Sequence, residues 1–268
     1  MRNSKHIDQD YDKSDFFKLK NKFDSLNLPP NKPLLVHVRI KSLREDPDIT
    51  TRSYSALSKL LIDVLHELFH PETIIVPTFT YSFTKSGVYH RKYSHSEVGR
   101  FSEEVRENFA NYRSPDPIFS VVETSNLLSN HESEIDYTVA FGKSSLNEFL
   151  IKNDCYIINI GINDLTLSIL HHIEKLADVH YRYMKLFHGT CYHDEDTYES
   201  ISYRYFVRDL DLNPKWDRQK LEHDLLQNCL MQLYNAGQLK YSAISSQELI
   251  DYVLPKLQSD QNYLLMKK

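Results

Sequence analysis

His171 and Glu174 stand three residues apart, so a helix there sets imidazole and carboxylate side by side on one stripe with Leu167 and Leu170. Ile169, Ile173 and Leu176 form a second apolar stripe, and a helix apolar on two sides is largely buried. In low-polarity surroundings a carboxylate holds the imidazole in one tautomer and raises its basicity, the pairing that a general base needs. The same spacing fits a core histidine satisfied by its neighbour. His172 lies about 100° around the helix and reads as structural.

Two further segments offer polar groups. Pro77-Thr-Phe-Thr-Tyr-Ser-Phe83 carries the hydroxyls of Thr80 and Ser82 with Tyr81 between them, suited to holding a carbonyl oxygen or a substrate amine, or simply to closing a turn. In Arg113-Ser-Pro-Asp-Pro-Ile-Phe-Ser120 two prolines stiffen the chain and hold Arg113, Ser114, Asp116 and Ser120 at fixed offsets, a rigidity more typical of sites than of cores. His188-Gly-Thr-Cys-Tyr-His-Asp-Glu-Asp196 has metal-capable side chains, yet its spacing matches no zinc pattern and the acidic run reads as a solvated surface, so no metal is expected. Cys155 lies inside an apolar strand, where a thiol is inert.

The elements that must position these residues follow from hydrophobic period. Leu34–Val38 is a strand-length apolar run after Pro29-Pro30; apolar residues from Tyr54 to Phe69 recur at three and four; Thr73–Val76 is a second strand ending at Pro77. Strand, helix and strand within about 45 residues predict a βαβ unit and a parallel sheet. Ser145-Leu-Asn-Glu148 is a capping box, Cys155–Ile160 another buried strand, and residues 166–177 a helix. Alternation from Thr197 to Arg208 predicts an exposed antiparallel strand, and residues 217–236 and 246–254 are expected to be helical. The predicted fold class is a three-layer α/β/α arrangement with a mainly parallel central sheet and an antiparallel extension. Residues 1–30 are expected to be an arm or helix around Phe16, Phe17, Leu19 and Phe23, and residues 31–268 a single domain. Ligands of open parallel sheets collect beyond the strands' carboxyl ends, which here means residues 37–44, 77–83 and 161–174.

Composition narrows the function. The 268 residues are 41% hydrophobic, enough for one sizeable core, and a net charge of −5 gives no global positive field for nucleic acid or anionic membrane. The six glycines never form GxG or GxxxxGK, which excludes the common phosphate cradles. Three scattered cysteines fit a reducing compartment, and with no secretory signal or membrane-spanning run the expected location is the cytoplasm, without membrane insertion.

Five segments in register resemble the aminoglycoside N-acetyltransferase family that lacks the GNAT fold: His37 at the first strand's end, RSPDPIFS at 113–120, FGKSSLNEFL at 141–150, Leu170-His171-His172-Ile173-Glu174, and VHYRYMKLFHG at 179–189. The match spans most of residues 33–210. With Asp116 where resistance enzymes tend to carry histidine, the chain looks closer to the branch that acylates amino sugars for surface polysaccharides, of the dTDP-anthrose acyltransferase type. The resemblance implies transfer of an acyl group from a coenzyme A thioester, acetyl or longer, to a sugar amine, without a metal. It implies catalytic roles for His171 and Glu174, with Ser82 beside the thioester; coenzyme contacts from His37, Arg39, Lys41, Ser42, Arg113 and Ser114; and substrate contacts from Thr80, Tyr81, Asp116 and Ser120. The family's first loop carries serines and a glycine after its histidine. Here Val38-Arg39-Ile40-Lys41 stands instead, so Arg39, Lys41 and the helix start near residues 50–53 are expected to replace backbone contacts to the phosphates.

A nucleotide-linked sugar is an anion carrying an aromatic base, and the chain's 18 tyrosines and 13 phenylalanines, with Arg91, Lys92, Arg182 and Arg204 among them, suit it. The competing readings are an aminoglycoside-resistance enzyme and a non-catalytic coenzyme- or glycan-binding module. The tyrosine-rich strand near 201–207 is able to pair across a homo-oligomer interface.

Overall fold

Leu34–Val38 forms β1 of a computed structural model that describes residues 10–267. Its side chains alternate between two apolar clusters, Leu34 and Val36 on one face of the sheet and Leu35 on the other, so helices must cover both faces. One cover holds α1 (Lys13–Phe23), α2 (Ile40–Arg44), α3 (Tyr54–Phe69) and, further along, α5 (Arg100–Asn108), through Leu19, Phe23, Leu43, Leu57 and Phe101. The other holds α7 (Leu146–Lys152), α8 (Leu170–Leu176), α9 (Arg218–Gln227) and α10 (Ser246–Ser259), through Leu146, Ile173, Leu221 and Val253. Short helices α4 (Phe83–Ser86) and α6 (Leu127–Asn130) lie in connections.

The three-layer expectation holds, with a smaller parallel part. β2 (Ile74–Pro77), β1 and β6 (Tyr156–Ile160) are the parallel core of a seven-stranded sheet. On the β2 side lie antiparallel β5 (Val121–Glu123) and β4 (Tyr112–Arg113); on the β6 side lie antiparallel β10 (Leu239–Ser245) and β9 (Met231–Ala236). A separate sheet joins β3 (Val88–His90), β7 (Arg182–Tyr192) and β8 (Tyr198–Arg208).

Three expectations change. The helix over 217–236 stops at Gln227; Cys229 takes a left-handed φ of 55°, and residues 231–236 pair with β10 through a hairpin at Gly237. Pairing that buries Leu239 and Tyr241 outweighs local helix preference. The 166–177 helix begins only at Leu170: Thr166 gives its N–H to the Asn159 side chain, and residues 168–169 form a turn before the helix starts. β8 is antiparallel to β7 as expected, but Ile201, Tyr203 and Phe206 are buried, so only part of the strand is exposed. Around Phe16 to Phe23 the chain is helical, with Leu19 and Phe23 in the core and Phe17 exposed; residues 1–9 lie outside the described part.

No helix among the described residues is long and apolar enough to cross a membrane.

Candidate active site

The parallel strands end at one edge of the sheet, and the segments that follow them meet there. Ser42 donates to the Gly161 carbonyl at 2.8 Å, and His37 Nε2 lies 3.4 Å from Ser168 Oγ. Gly161 takes a φ of 69°, and a Cβ on it would sit 2.5 Å from that of Ser42, so the first and third loops pack together only because glycine is there. His37 is buried, which lowers its pKa to about 4 and keeps it neutral.

At the end of the third loop, α8 carries the histidine–glutamate pair. Glu174 is fully buried: His171 Nδ1 lies 2.9 Å and, as an ion pair, Arg182 Nε 2.7 Å from Oε2, and Oε1 accepts from the Tyr181 hydroxyl at 3.0 Å and the Trp216 indole N–H at 2.8 Å. Burial opposes its ionisation, but His171, Arg182 and Trp216 outweigh it and hold the carboxyl below its ordinary pKa. Arg182 Nε is charge-paired but does not point its hydrogen at the oxygen, and Nη2 lies 2.9 Å from His171 Nδ1. Glu174 Oε2 can only accept, which assigns the proton to Nδ1 and the lone pair to Nε2; the contact of Arg182 Nη2 with Nδ1 then joins two donors and is not a hydrogen bond. Desolvation lowers the His171 pKa, the Glu174 carboxylate works against it, and Arg182 and Arg218 add to the lowering. The imidazole is therefore neutral at pH 7 and able to take a proton.

His171 is walled by aromatic rings rather than aliphatic ones, with Trp216 at 4.7 Å and Phe141 at 5.5 Å between centroids. It is 26% exposed, toward a cavity of about 640 Å³. Five cationic side chains line that cavity (Arg182, Lys185, Arg208, Lys215, Arg218), with Tyr183, Phe187, Tyr205 and Trp216, and no carboxylate among them. Asp209, next to Arg208, spends Oδ1 on the N–H groups of Asp211 and Leu212. A row of ring contacts at 5.0 to 6.1 Å runs from Tyr81 through Phe119 and Phe141 to Tyr205, reaching from the β2 loop to the cavity.

The other anticipated residues divide. Ser82 is exposed, its N–H bonded to Glu97, and Tyr81 is 42% exposed at the end of the aromatic row. Arg39 is exposed at the start of α2, and Lys41 pairs with Glu45 at 3.3 Å. The 113–120 loop corrects the expectation that it offers free polar groups. Arg113 is buried and gives its donors to the carbonyls of Thr78, Arg91 and Ser94 and the hydroxyls of Thr80 and Ser120, leaving none for a phosphate. Ser114 Oγ accepts from the Val121 N–H. Ser120 donates to Thr78 O. Asp116 accepts from the N–H groups of Ile118 and Phe119 and from the Tyr203 hydroxyl, and burial raises its pKa to about 7 despite those donors. Prolines here stiffen a structural lock, and rigidity alone did not distinguish a lock from a site.

Sequence reading missed Trp216 and Phe141, which pack on His171, Tyr181, which bonds Glu174, and Tyr205, which packs on Phe141; all four arrive only through tertiary packing. Of the four cations noted beside aromatics, Arg182 reaches the cavity, Arg91 and Lys92 border a different groove, and Arg204 pairs with Asp136. His172 is structural, accepting from the Gly142 N–H at 3.2 Å.

The mixed sheet and its covering helices are the fold of solved aminoglycoside acetyltransferases. The structure is similar to AAC-IIIb in a binary complex with CoASH (TM-score 0.70, 13% identity, covering 94% of this chain and 98% of that one). It is also similar to the YokD protein of Bacillus subtilis (TM-score 0.72, 16% identity, 93% and 95%) and to AAC-VIa bound to sisomicin (TM-score 0.70, 14% identity, 91% and 97%). At these identities the likeness establishes the fold. A comparison with curated proteins finds no match. The profile of the aminoglycoside 3-N-acetyltransferase family matches residues 35–258. The chain is an N-acyltransferase by class, and it belongs to the aminoglycoside 3-N-acetyltransferase family.

Proposed function

We propose that the protein moves an acyl group from a coenzyme A thioester to the primary amine of an anionic, nucleotide-linked amino sugar. The observation that carries the acceptor's charge is the cavity at His171, with five cations, four aromatic rings and no lining carboxylate. Aminoglycosides are polycations, which such a lining repels, whereas a diphosphate pairs with its guanidinium groups and a base stacks on its rings. The coenzyme reading rests on family membership and on the neighbour solved with CoASH.

In this reading the neutral amine attacks the thioester carbonyl directly in a ternary complex. The nitrogen–carbon bond forms, the tetrahedral oxyanion collapses, and the thiolate leaves. His171 Nε2 accepts the amine's proton and passes it to the departing sulfur, while Glu174 stabilises the imidazolium. Three hydrogen bonds and the Arg182 ion pair keep the buried carboxylate ionised and fixed, and Trp216 positions the pair by bonding the acid and packing at a tilt against the ring. In this reading the pantetheine arm follows the aromatic row from Tyr81 toward His171, with Ser82 beside its entrance. Positioning supplies much of the acceleration, on the order of 7 kcal/mol or more for well-oriented reactants. A role in surface-polysaccharide assembly fits such an acceptor.

The test titrates acetyl-CoA with nucleotide-linked amino sugars and with kanamycin-like amines while following free thiol. Release with the former supports the reading; release only with the latter assigns the protein to aminoglycosides; coenzyme binding without release on any amine makes it a binding module.

A further inference from the structure

A second cluster of reactive side chains lies at the far end of the β7–β8 hairpin, away from Arg182 at its other end. Cys191 and His193 are two residues apart, which along extended chain puts them on one face, and Glu199 is the cross-strand partner of Cys191. Cys191 Sγ, a ring nitrogen of His193 and a carboxylate oxygen of Glu199 all lie within 4.8 Å of one another, with His193 Nε2 3.0 Å from Glu199 Oε1. The turn that holds them is braced: His193 N–H bonds to the Thr197 carbonyl, and Asp194 Oδ1 accepts from the N–H groups of Asp196 and Thr197. We propose that Cys191, His193 and Glu199 form a binding site for a zinc-like divalent cation.

Three observations favour a cation over an ordinary ion pair. The first is the donor set: thiolate, imidazole and carboxylate are the three ligand types of zinc, and three protein ligands with one open position is a recognised arrangement. Drawing atoms together from 4.8 Å to ligand spacing needs a movement of only about 1 Å. The second is charge. The other such group among the described residues, His95, Glu103 and Glu107, has Arg106 on both of its carboxylates, while Glu199 meets only His193. The third is access. His193 and Glu199 border a cavity of about 530 Å³, which gives an ion a path to them, while Glu132 and Asp136 on its wall are held by Arg91 and Arg204. On its other side His193 faces a groove with Arg91, Lys92 and Arg106, each paired to a glutamate: Glu132, Glu195, and Glu103 with Glu107.

Cys191 is buried as a thiol whose Sγ–H points to the Pro115 carbonyl at 3.6 Å. Binding forms a metal–sulfur bond, breaks that S–H bond and releases the proton to solvent, while Nε2 of neutral His193 and the Glu199 carboxylate bind through lone pairs. The bound ion would brace the turn end of the hairpin, remote from the catalytic cavity.

The experiment uses the full chain in a Cys229→Ser background, because Cys229 is an exposed thiol. Calorimetry with Zn²⁺ in two buffers of different ionisation enthalpy should give one ion per chain and one proton released, and Co²⁺ should produce a near-ultraviolet thiolate charge-transfer band. His193→Ala and Glu199→Gln, both at the hairpin's turn end, should each weaken Zn²⁺ at least tenfold, and Cys191→Ser should remove the band. Absence of one-to-one binding at micromolar free Zn²⁺, or affinity unchanged in both His193→Ala and Glu199→Gln, overturns the site. Neither result bears on acyl transfer, which the thiol-release assay reads separately.

Discussion

Replacing Glu174 by glutamine probes the catalytic arrangement most directly, because the structure dictates how the amide must fail. Oε2 faces His171 Nδ1 and Arg182, and Oε1 faces the Tyr181 hydroxyl and the Trp216 N–H. An amide has one acceptor oxygen and one donor NH2, so two orientations exist. With NH2 toward His171, the ring must accept at Nδ1 and carry its proton on Nε2, which destroys the base, and Arg182 meets another donor. With NH2 toward Trp216, it opposes an indole that only donates. In either case Arg182, whose side chain is 6% exposed, loses its counter-ion. Removing one partner of a buried pair typically costs about 3–5 kcal/mol of stability. Loss of the oriented base should lower kcat about 10²- to 10⁴-fold, the usual span of general-base catalysis. The His171 pKa, no longer raised by the carboxylate, moves further down, so the acid limb of the pH–rate profile shifts to lower pH. Thiol release from acetyl-CoA across a pH series, with circular dichroism melts, measures all three effects. A folded Glu174→Gln enzyme turning over within threefold of the parent would refute the proposed base and leave deprotonation to the substrate.

Lys185→Ala with Arg208→Ala should raise KM for a nucleotide-linked amine by roughly ten- to a hundredfold, with a weakened salt dependence, and leave kanamycin-like amines unaffected or improved; equal effects on both amines would contradict the anionic-acceptor reading. Asp116→Asn tests linkage. The folded pKa of about 7 lies above the ordinary 3.8, so the folded state keeps a proton that the unfolded chain releases, and stability falls as pH rises from about 4 to about 7, by up to roughly 4 kcal/mol. Denaturant titrations should show that slope in the parent protein and its loss in Asp116→Asn, whose amide is able to donate to Tyr203 instead. Gly161→Ala places a Cβ against Ser42 at a φ of 69° and should destabilise by about 1–3 kcal/mol; an unchanged melting temperature would mean that the first loop is free to retreat.

What the sequence determined by itself was local and periodic. Leu34–Val38 and Cys155–Ile160 are continuous apolar runs of strand length, and the Tyr54–Phe69 pattern has the period of a helix that buries one broad face, so the parallel core could be read directly. The three loops at its carboxyl edge followed from the same rule, and the i, i+3 spacing of His171 and Glu174 placed them in contact before any coordinates. Residues 231–236 show the opposite case, a segment compatible with helix that became a strand because β10 lies beside it. Tertiary structure alone decided which groups surround Glu174, since Tyr181 and Arg182 approach it from the start of β7 and the residue before it, and Trp216 from the loop before α9. It also decided that Arg113 and Asp116 turn inward while Lys185, Arg208 and Arg218 turn toward one cavity. A charge in sequence has no direction; its role depends on whether the packed chain surrounds it with backbone acceptors or leaves it facing open space.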